Sequence, residues 1–342
     1  MKNRTPFPSP YIIAEVGQNH QGDLQLAKKF IEVFSSLGAS AVKFQIRDNK
    51  RLFDKSRYNL VYDSPNSFGV TYGEHREFLE FSKSELYELK TYAEEHSVDF
   101  CCTPFDLPSL DKLIELDVKY LKVASFDLGN LPFLSRIGQS KRNVIISTGG
   151  GDLEIISRSL TYLDCGQPIA LLHCTSEYPC PAEKVDLEML RTLLEEYPQY
   201  TIGLSDHYNG TLTGPLGFLF GARVFEKHVT FDRSQKGSDH KFSLEPDGFK
   251  RFVRDIYRAE QMCNTANRSH RGNEPVFQRL GKSCVAAKSL PEGHSICLDD
   301  IDGIVFDKQY IPIRNSSALI GMTLRQYIEA GQPFIRGTHL DY

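Results

Sequence analysis

Residues 11–46 read YIIAEVGQNHQGDLQLAKKFIEVFSSLGASAVKFQI and contain a strand pattern, a helix pattern and a second strand pattern. The apolar runs at residues 11–16 and 41–46 are nearly continuous, which is typical of strands covered on both faces of a sheet. Between them, LQLAKKFIEVFSSLG begins at Leu24, has apolar residues at helical spacing and ends on Gly38, a favourable helix C-cap. This stretch predicts a β/α/β unit with parallel strands.

The same alternation continues along the chain. Further helical patterns begin at Lys83 and Asp186 and lie near residues 248–263. Eight strand-then-helix units predict a parallel (β/α)8 barrel. A doubly wound open sheet is the alternative, but no glycine-rich dinucleotide loop follows the first strand. The other six apolar runs cover residues 98–103, 119–123, 143–147, 168–173, 201–205 and 223–227.

Composition changes towards the C-terminus and predicts two domains. Residues 1–265 form the barrel, and residues 266–276 form a linker, because NTANRSHRGNE is polar and rich in turn-forming residues. Residues 277–342 alternate short apolar runs with turn signals, which predicts a small β-rich module. Its core would be marginal alone, so we expect it to dock on the barrel or on a second subunit. Within the barrel, the long polar and aromatic segment at residues 47–81 is expected to be functional.

Bulk composition narrows the class of protein. Of 342 residues, 40% are hydrophobic and 25% are charged, with a net charge of -4, which indicates a globular protein and argues against nucleic-acid binding. No apolar run is long enough to predict a membrane span or a secretory signal. The eight cysteines form no CxxC pair, which predicts buried free thiols in a reducing cytoplasm and argues against a cysteine zinc site.

Polar groups stand at the end of every predicted strand, where they would meet at one rim of a barrel. Two lysines and several hydroxyls suit an anion that carries a phosphate and a carboxylate. Two histidines on adjacent strands suit a divalent metal with open positions, and a glutamate is a candidate acid or base. Each residue alone could be a structural ion pair, a helix cap or a hydrogen-bonded neutral imidazole, but their convergence favours a site. The residues are Glu15, Lys43, Gln45, Thr103, Lys122, Ser125, Asp127, Ser147, Ser176, Tyr178, Ser205, His207, Glu226 and His228.

Several motifs resemble the sialic acid (N-acetylneuraminate) synthase family, which includes legionaminic and pseudaminic acid synthases and spore-coat polysaccharide synthases. They occur in the family's order over nearly the whole chain, and their combination is specific. The C-terminal VAAKSLPEG and its surroundings resemble the small antifreeze-like (SAF) domain of these enzymes. The motifs are IIAEVGQNHQGD, GASAVKFQ, CTPFD, LKVAS, IISTGG, LLHCTSEYPCP, IGLSDH, FEKHVTFDR and GSDHKFSLEPDGF.

The resemblance implies a transferase that condenses phosphoenolpyruvate with an open-chain mannose-type aldose, giving a sialic-acid-like 2-keto-3-deoxy acid and phosphate. His207 and His228 would bind the metal, usually Mn²⁺, with Mg²⁺ or Co²⁺ as alternatives, and Glu15 matches the catalytic carboxylate. The positions that match sugar-binding residues are Gln45, Asp127, Tyr178 and Asp239. The positions that match phosphoenolpyruvate-binding residues are Lys43, Thr103, Lys122, Ser125, Ser147, Ser176 and Ser205.

The resemblance also implies a cytoplasmic homodimer in which each SAF domain reaches the partner's active site. Three positions depart from the family pattern. Ser176 stands where asparagine is frequent, and Asp127 stands where glutamate is frequent. Val305 or a neighbour replaces the arginine of an Arg-Pro-Gly segment, and Arg314 lies nearby in sequence but not at that position. The family's recognition of the N-acyl group therefore does not transfer to this chain.

Three alternatives remain at the sequence level. The chain could make a legionaminic, pseudaminic, deaminated or spore-coat sugar acid with the same chemistry. A non-catalytic sugar-binding relative would lack a metal ligand or a lysine, and none is missing. A Schiff-base aldolase on this fold could use Lys122, but the histidine pair would then be unexplained.

Overall fold

Eight parallel strands form a closed barrel, in which each strand pairs with the next one in the chain and the eighth pairs with the first. The structure is a computed structural model that describes residues 7, 9–264 and 272–341. The closed barrel confirms the predicted (β/α)8 fold and excludes the open sheet. The strands are β1 (Tyr11–Gly17), β2 (Ala41–Ile46), β3 (Asp99–Pro104), β4 (Tyr120–Val123), β5 (Asn143–Ser147), β6 (Ile169–Cys174), β7 (Thr201–Asp206) and β8 (Val224–His228).

Several of the helices between the strands begin just after a side chain that caps them. Before the first helix, the Asp23 carboxylate accepts hydrogen bonds from the backbone N–H groups of Gln25 and Leu26, and Gly38 follows its last turn with φ +97°, a conformation that favours glycine. The helices are α1 (Leu24–Ser36), α2 (Asn49–Leu52), α3 (Lys55–Tyr58), α4 (Tyr72–Phe78), α5 (Lys83–Glu95), α6 (Leu107–Glu115), α7 (Leu131–Gln139), α8 (Leu153–Leu163), α9 (Glu188–Glu196), α10 (Thr213–Leu219) and α11 (Pro246–Cys263).

The long segment at residues 47–81 follows β2 and contains α2, α3 and α4. The Tyr72 ring lies at its centre, edge-on to Phe53 at 5.2 Å and to Tyr62 at 5.4 Å. Glu80, near the end of the segment, accepts a hydrogen bond from the backbone N–H of Arg47 at its start, at 2.9 Å. These contacts fold the segment back on itself beside the carboxyl end of β2.

Side chains along each strand alternate between two cores, because successive residues point to opposite faces. On β1, Ile12 and Ala14 pack in the large apolar core that includes the helices. Tyr11 and Ile13 point into the barrel, where they join a second core that we call the lower layer. The lower layer consists of Phe7, Tyr11, Ile13, Ala41, Cys101, Tyr120, Ile145, Ala170, Leu172 and Val224.

The chain divides into two compact units, Met1–Cys263 and Asn264–Tyr342. In the second unit, helix α12 (Pro275–Leu280) starts inside the predicted linker at 266–276, of which residues 266–271 lie outside the described part. Strands β9 (Ser283–Ala286) and β10 (Ile301–Ile304) then pair antiparallel. The core of this unit consists of Cys284, Ala286, Leu290, Ile296, Leu319, Leu324, Ile328, Phe334 and Leu340. Among the described helices, none combines the length and apolar character that a bilayer crossing requires.

Candidate active site

Polar side chains form a second interior layer directly above the lower layer. On seven of the eight strands the inward-pointing residue two positions after a lower-layer residue belongs to it; on β4, for example, Lys122 follows Tyr120, and on β8, Glu226 follows Val224. Because the strand period is two, both residues of each pair face the barrel axis. We call this set the upper layer: Glu15, Lys43, Thr103, Lys122, Ser147, Cys174, Ser205 and Glu226.

A cavity of about 690 Å³ opens at this end of the barrel, and every residue of the upper layer lines it. Twelve of the fourteen residues proposed as site residues from the sequence lie in its wall. The lining does not include Asp127, which accepts a hydrogen bond from Asn130 at 2.8 Å, or Ser176, which is exposed. The twelve are Glu15, Lys43, Gln45, Thr103, Lys122, Ser125, Ser147, Tyr178, Ser205, His207, His228 and Asp239.

Two lysines and two glutamates alternate at the bottom of the cavity, and all four are at least 95% buried. Lys43 Nζ lies 3.1 Å from Glu15 Oε2 and 3.4 Å from Glu226 Oε1. Lys122 Nζ lies 3.9 Å from Glu226 Oε2. Glu226 therefore stands between the two ammonium groups, whereas Glu15 contacts only one of them. Buried charges are costly unless they are paired, and this arrangement pairs them.

The two glutamates ionise very differently. Burial raises the pKa of Glu15 to about 7, although the Lys43 ammonium acts in the opposite direction. Burial would also raise the pKa of Glu226, but Lys122 and Lys43 outweigh it and lower that pKa to about 2. Glu226 is thus a permanent carboxylate near neutral pH, while Glu15 can exchange a proton there.

The pKa values of the two lysines also shift in opposite directions. Burial disfavours the charge on Lys43, but the carboxylates of Glu15 and Glu226 outweigh it and raise its pKa. Burial lowers the pKa of Lys122, which has fewer opposing charges nearby. Lys122 instead donates hydrogen bonds to Ser147 Oγ at 2.6 Å and to the backbone carbonyl of Val123 at 3.0 Å. An added anion would compensate the charge of Lys122.

Serine hydroxyls surround Gly149, just after β5. Ser125 Oγ accepts a hydrogen bond from the Gly149 N–H at 3.0 Å. A Cβ at residue 149 would lie 2.3 Å from Ser176 Oγ and 2.7 Å from Ser125 Oγ, so any side chain there would displace both hydroxyls. Gly149 thus leaves room for two hydroxyl groups to approach each other beside the cavity.

Two imidazoles lie next to each other in the cavity wall, with ring centroids 5.5 Å apart and ring planes tilted by 52°. The Nδ1–H of His207 donates to the backbone carbonyl of Thr175 at 2.8 Å, which leaves Nε2 as the lone-pair nitrogen of the neutral ring. Burial lowers the pKa of His228 to about 3, and its buried Nδ1 has no hydrogen-bond partner. Asp239 Oδ2 lies 3.9 Å from that nitrogen.

These imidazoles fit a metal that keeps open coordination positions. Both rings present nitrogen lone pairs, and the orphaned Nδ1 of His228 needs a partner. In the described residues, no group of three or more histidine, cysteine, aspartate or glutamate side chains is arranged around one point. The protein thus offers two imidazole ligands, and a bound metal would take its remaining ligands from water or substrate.

Residues in the positions expected for sugar contacts lie above this layer. The Gln45 amide Nε2–H donates to Glu15 Oε1 at 2.8 Å, which orients the carboxylate. The Tyr178 ring lies 4.0 Å from the His207 ring. The Tyr178 side chain is partly exposed to solvent. Asp239 lies beside His228. A substrate that contacts all three would pass between Glu15 and the imidazole pair.

Several polar lining residues received no role from the sequence, among them Glu226, Gln18, Arg47 and Arg76. Glu226 was placed at the rim without a function, although strand alternation alone puts it two residues after the buried Val224. Gln18, Arg47 and Arg76 line the outer cavity. The position of Arg76 depends on how residues 47–81 fold, for which the sequence carries no periodic signal.

A closed (β/α)8 barrel with a dense charged network at its C-terminal end is the arrangement of a TIM-barrel enzyme active site. The NeuB family model matches residues 30–268, more than half of the chain. The chain belongs to the NeuB family, and it is an enzyme, a transferase that forms a C–C bond.

Relatives with assigned functions support this placement. The chain is 34% identical to an N-acetylneuraminate-9-phosphate synthase of Drosophila melanogaster, over 96% of this chain and 95% of that protein. It is 36% identical to an N,N'-diacetyllegionaminic acid synthase of Legionella pneumophila, over 88% and 86%. The crystal structure of a sialic acid synthetase from Leptospira borgpetersenii matches with a TM-score of 0.70 and 30% identity, covering 78% of this chain and 90% of that one. The predicted family is confirmed.

Proposed function

We propose that the chain condenses phosphoenolpyruvate with an open-chain mannose-type aldose, giving a 2-keto-3-deoxy sugar acid and phosphate. The observation that carries the proposal is the upper layer. Two ammonium groups and three hydroxyls face the cavity, at Lys43, Lys122, Thr103, Ser147 and Ser205. Such donors suit a small molecule with both a phosphate and a carboxylate.

The carbon skeleton is joined by attack of C3 of phosphoenolpyruvate on the aldehyde carbon. As the C–C bond forms, positive charge develops at C2 and negative charge on the aldehyde oxygen. The carboxylate of Glu226 is fixed between the lysines and offsets their charge near C2. Because this network is already ordered, little rearrangement accompanies the reaction.

Water then adds at C2, and Glu15 acts as the general base and general acid for this step. With a pKa raised to about 7 by burial, Glu15 can accept the proton that water releases and supply it to the former aldehyde oxygen. The C2–O bond to phosphate breaks as the C2 carbonyl forms, and the proton of the C2 hydroxyl leaves with the phosphate. Lys43, between Glu15 and Glu226, is placed to stabilise the anion throughout.

A divalent metal belongs to the proposal, with Mn²⁺ first and Mg²⁺ or Co²⁺ as alternatives. His207 and His228 would hold it, which is supported by the 5.5 Å between their ring centroids and by the orphaned Nδ1 of His228. When bound, the metal would act as a Lewis acid on the aldehyde oxygen. Asp239 and Tyr178 stand beside the imidazoles and would orient the sugar.

The names of the relatives narrow the range of aldoses that the chain would accept. Phosphoenolpyruvate contributes the first three carbons of the product, so C9 of a 9-phosphate product corresponds to C6 of the aldose. The Drosophila relative is named for a 9-phosphate product, which supports including aldose 6-phosphates among the candidate acceptors of this chain. Here Val305 stands near the place of the family's SAF arginine, so N-acyl recognition would use other groups.

The proposal also covers the second unit and the oligomeric state of the protein. Residues 277–342 are proposed to be an SAF domain that reaches the partner's cavity in a homodimer. A cytoplasmic location is supported by the eight cysteines, all of which are free thiols.

The test is phosphate release from phosphoenolpyruvate, with and without Mn²⁺, against a panel of mannose-type aldoses and their 6-phosphates. We expect release to require both an aldose and Mn²⁺, and to yield a product whose mass equals aldose plus pyruvate. Release without an aldose, or a borohydride-trapped adduct with pyruvate, would contradict the proposal.

Replacing one imidazole ligand tests the metal. His207→Ala is expected to abolish Mn²⁺-dependent turnover while circular dichroism shows an intact fold. His96→Ala is the control, because His96 does not line the cavity and lies at the end of α5, with Nδ1 2.8 Å from the Tyr92 carbonyl. If turnover survives in His207→Ala, the metal assignment is wrong.

A further inference from the structure

The outer part of the cavity wall contains three hydrogen-bond donors that the condensation does not use. Arg47 and Arg76 come from the ends of the segment at residues 47–81, and Gln18 comes from the loop after β1. Lys43 and Lys122 lie deeper, in the upper layer. The cavity therefore has two separate cationic regions, one at its base and one nearer its mouth.

The Arg76 guanidinium forms no ion pair with the described residues, although the Glu80 carboxylate is near enough for the two charges to interact. Its guanidinium donates to the Tyr72 hydroxyl at 2.8 and 3.1 Å and to Gln18 Oε1. All these acceptors are neutral, and in the described residues no carboxylate lies within ion-pair distance of it. Because a guanidinium has five N–H donors, some of its donors remain for an anion.

Arg47 stands close enough to Arg76 that the second positive charge lowers its pKa, after the larger effect of burial. Its guanidinium stacks on the Phe105 ring at 3.9 Å and pairs with Glu80 at 3.4 Å. Two like charges held together at a cavity wall are stabilised when an anion joins them.

Gln18 supplies an independent sign that an acceptor belongs here. Its Oε1 accepts from Arg76, which fixes the amide orientation, so its Nε2 points elsewhere. That Nε2 is buried and has no hydrogen-bond partner. An unpaired buried donor of this kind calls for a missing acceptor. Three donors thus line the outer part of one cavity, and one of them has no acceptor.

A chain of hydrogen bonds links this place to the reaction centre. Glu15 Oε1 accepts from Gln45 Nε2 at 2.8 Å, and Gln45 Oε1 accepts from Arg47 Nη2 at 2.5 Å. A substrate whose aldehyde lies at Glu15 would therefore run along Gln45 and present its far end to the arginines.

We propose that Arg76, Arg47 and Gln18 bind the phosphate at the far end of a phosphorylated open-chain aldose. This subsite rests on the proposed condensation, and it assigns a hexose 6-phosphate as the acceptor class. Arg76 and Arg47 contribute forked donors that match phosphate oxygens, and Gln18 Nε2 donates to a third oxygen.

The first test compares kcat/KM for N-acetylmannosamine 6-phosphate with that for N-acetylmannosamine. Wild type is expected to prefer the phosphorylated acceptor, and Arg76→Met is expected to reduce this preference by about 10- to 100-fold. Arg76→Lys, which keeps the charge but loses the fork, should give a smaller reduction. Arg51→Met is the matched control, because Arg51 is exposed on α2 and does not line the cavity.

Calorimetric binding of N-acetylmannosamine 6-phosphate separates this inference from the proposed reaction. Binding that weakens by about 10- to 100-fold in Arg76→Met, but not in Arg51→Met, supports the subsite even if no turnover occurs. A wild type that prefers the unphosphorylated sugar, or an Arg76→Met variant with unchanged preference and affinity, would overturn it. Loss of phosphoenolpyruvate consumption with every aldose would count against the proposed function instead.

Discussion

The lower and upper layers of the barrel interior lie only two residues apart on seven of the eight strands, yet one layer is apolar and the other is charged and polar. Tyr120 is followed by Lys122, Ile145 by Ser147, and Val224 by Glu226. The lower layer is a buried and largely apolar cluster, while the upper layer carries four buried charges around a cavity. One strand therefore contributes both to stability and to the site.

The difference shows how a barrel separates these two tasks. Burial of each large apolar side chain in the lower layer contributes about 1.5–3 kcal/mol to folding. Charges in the upper layer gain no such energy and persist only because Lys43, Glu15, Glu226 and Lys122 pair with each other. Replacements in the two layers should therefore affect different properties.

The largest effect is expected from Tyr120→Ala in the lower layer. The Tyr120 ring lies 5.3 Å from Phe7 and 5.4 Å from Tyr11, so its loss leaves a cavity in the core. The free energy of unfolding should fall by about 3–5 kcal/mol in chemical denaturation. The kcat/KM of the folded variant should stay near the wild-type value. A large loss of kcat/KM would contradict the assignment of stability to the lower layer and activity to the upper layer.

The converse change is Lys122→Met in the upper layer, on the same strand. The kcat/KM for phosphoenolpyruvate should fall by about 100- to 1,000-fold, because a buried cation aimed at the substrate anion is removed. The loss of unfolding free energy should be smaller than in Tyr120→Ala. Lys119→Met is the control, since exposed Lys119 pairs with Asp99 at 3.0 Å outside the cavity. Equal kcat/KM values in the two lysine variants would refute the assignment.

A smaller effect is expected from Glu226→Gln, measured in the metal-free protein. The Glu226 carboxylate is one of the causes that raise the pKa of Glu15, after burial. Glu15 should titrate near pH 7 in wild type, protonated below and ionised above, and at lower pH in Glu226→Gln. The ¹³C carboxyl signal that is missing in Glu15→Gln identifies the group. An unchanged midpoint would mean that the glutamates do not interact.

Much of the barrel and of its cavity wall can be predicted from the sequence. All eight strands were predicted to within a residue, because strands buried on both faces leave continuous apolar runs. Most of the cavity wall was also predicted, because the carboxyl ends of barrel strands converge. Lys43, Lys122, His207 and His228 therefore reach one cavity although they are distant along the chain.

Other features depend on contacts that no local pattern encodes. Arg76 meets Gln18 across 58 positions, through a segment of short helices. Asp127 and Ser176 lie after the strand ends, where alternation no longer sets side-chain direction, and neither lines the cavity. The opposite pKa shifts of Glu15 and Glu226 depend on how many lysines each one contacts.

The most direct measurement is a crystal structure of the protein soaked with phosphoenolpyruvate. The account predicts difference density in the upper layer, with phosphate and carboxylate oxygens within hydrogen-bond distance of Lys43 and Lys122 and with C3 open towards Glu15. Density for phosphoenolpyruvate at any other place, with the two ammonium groups still bound only to protein atoms, would contradict it.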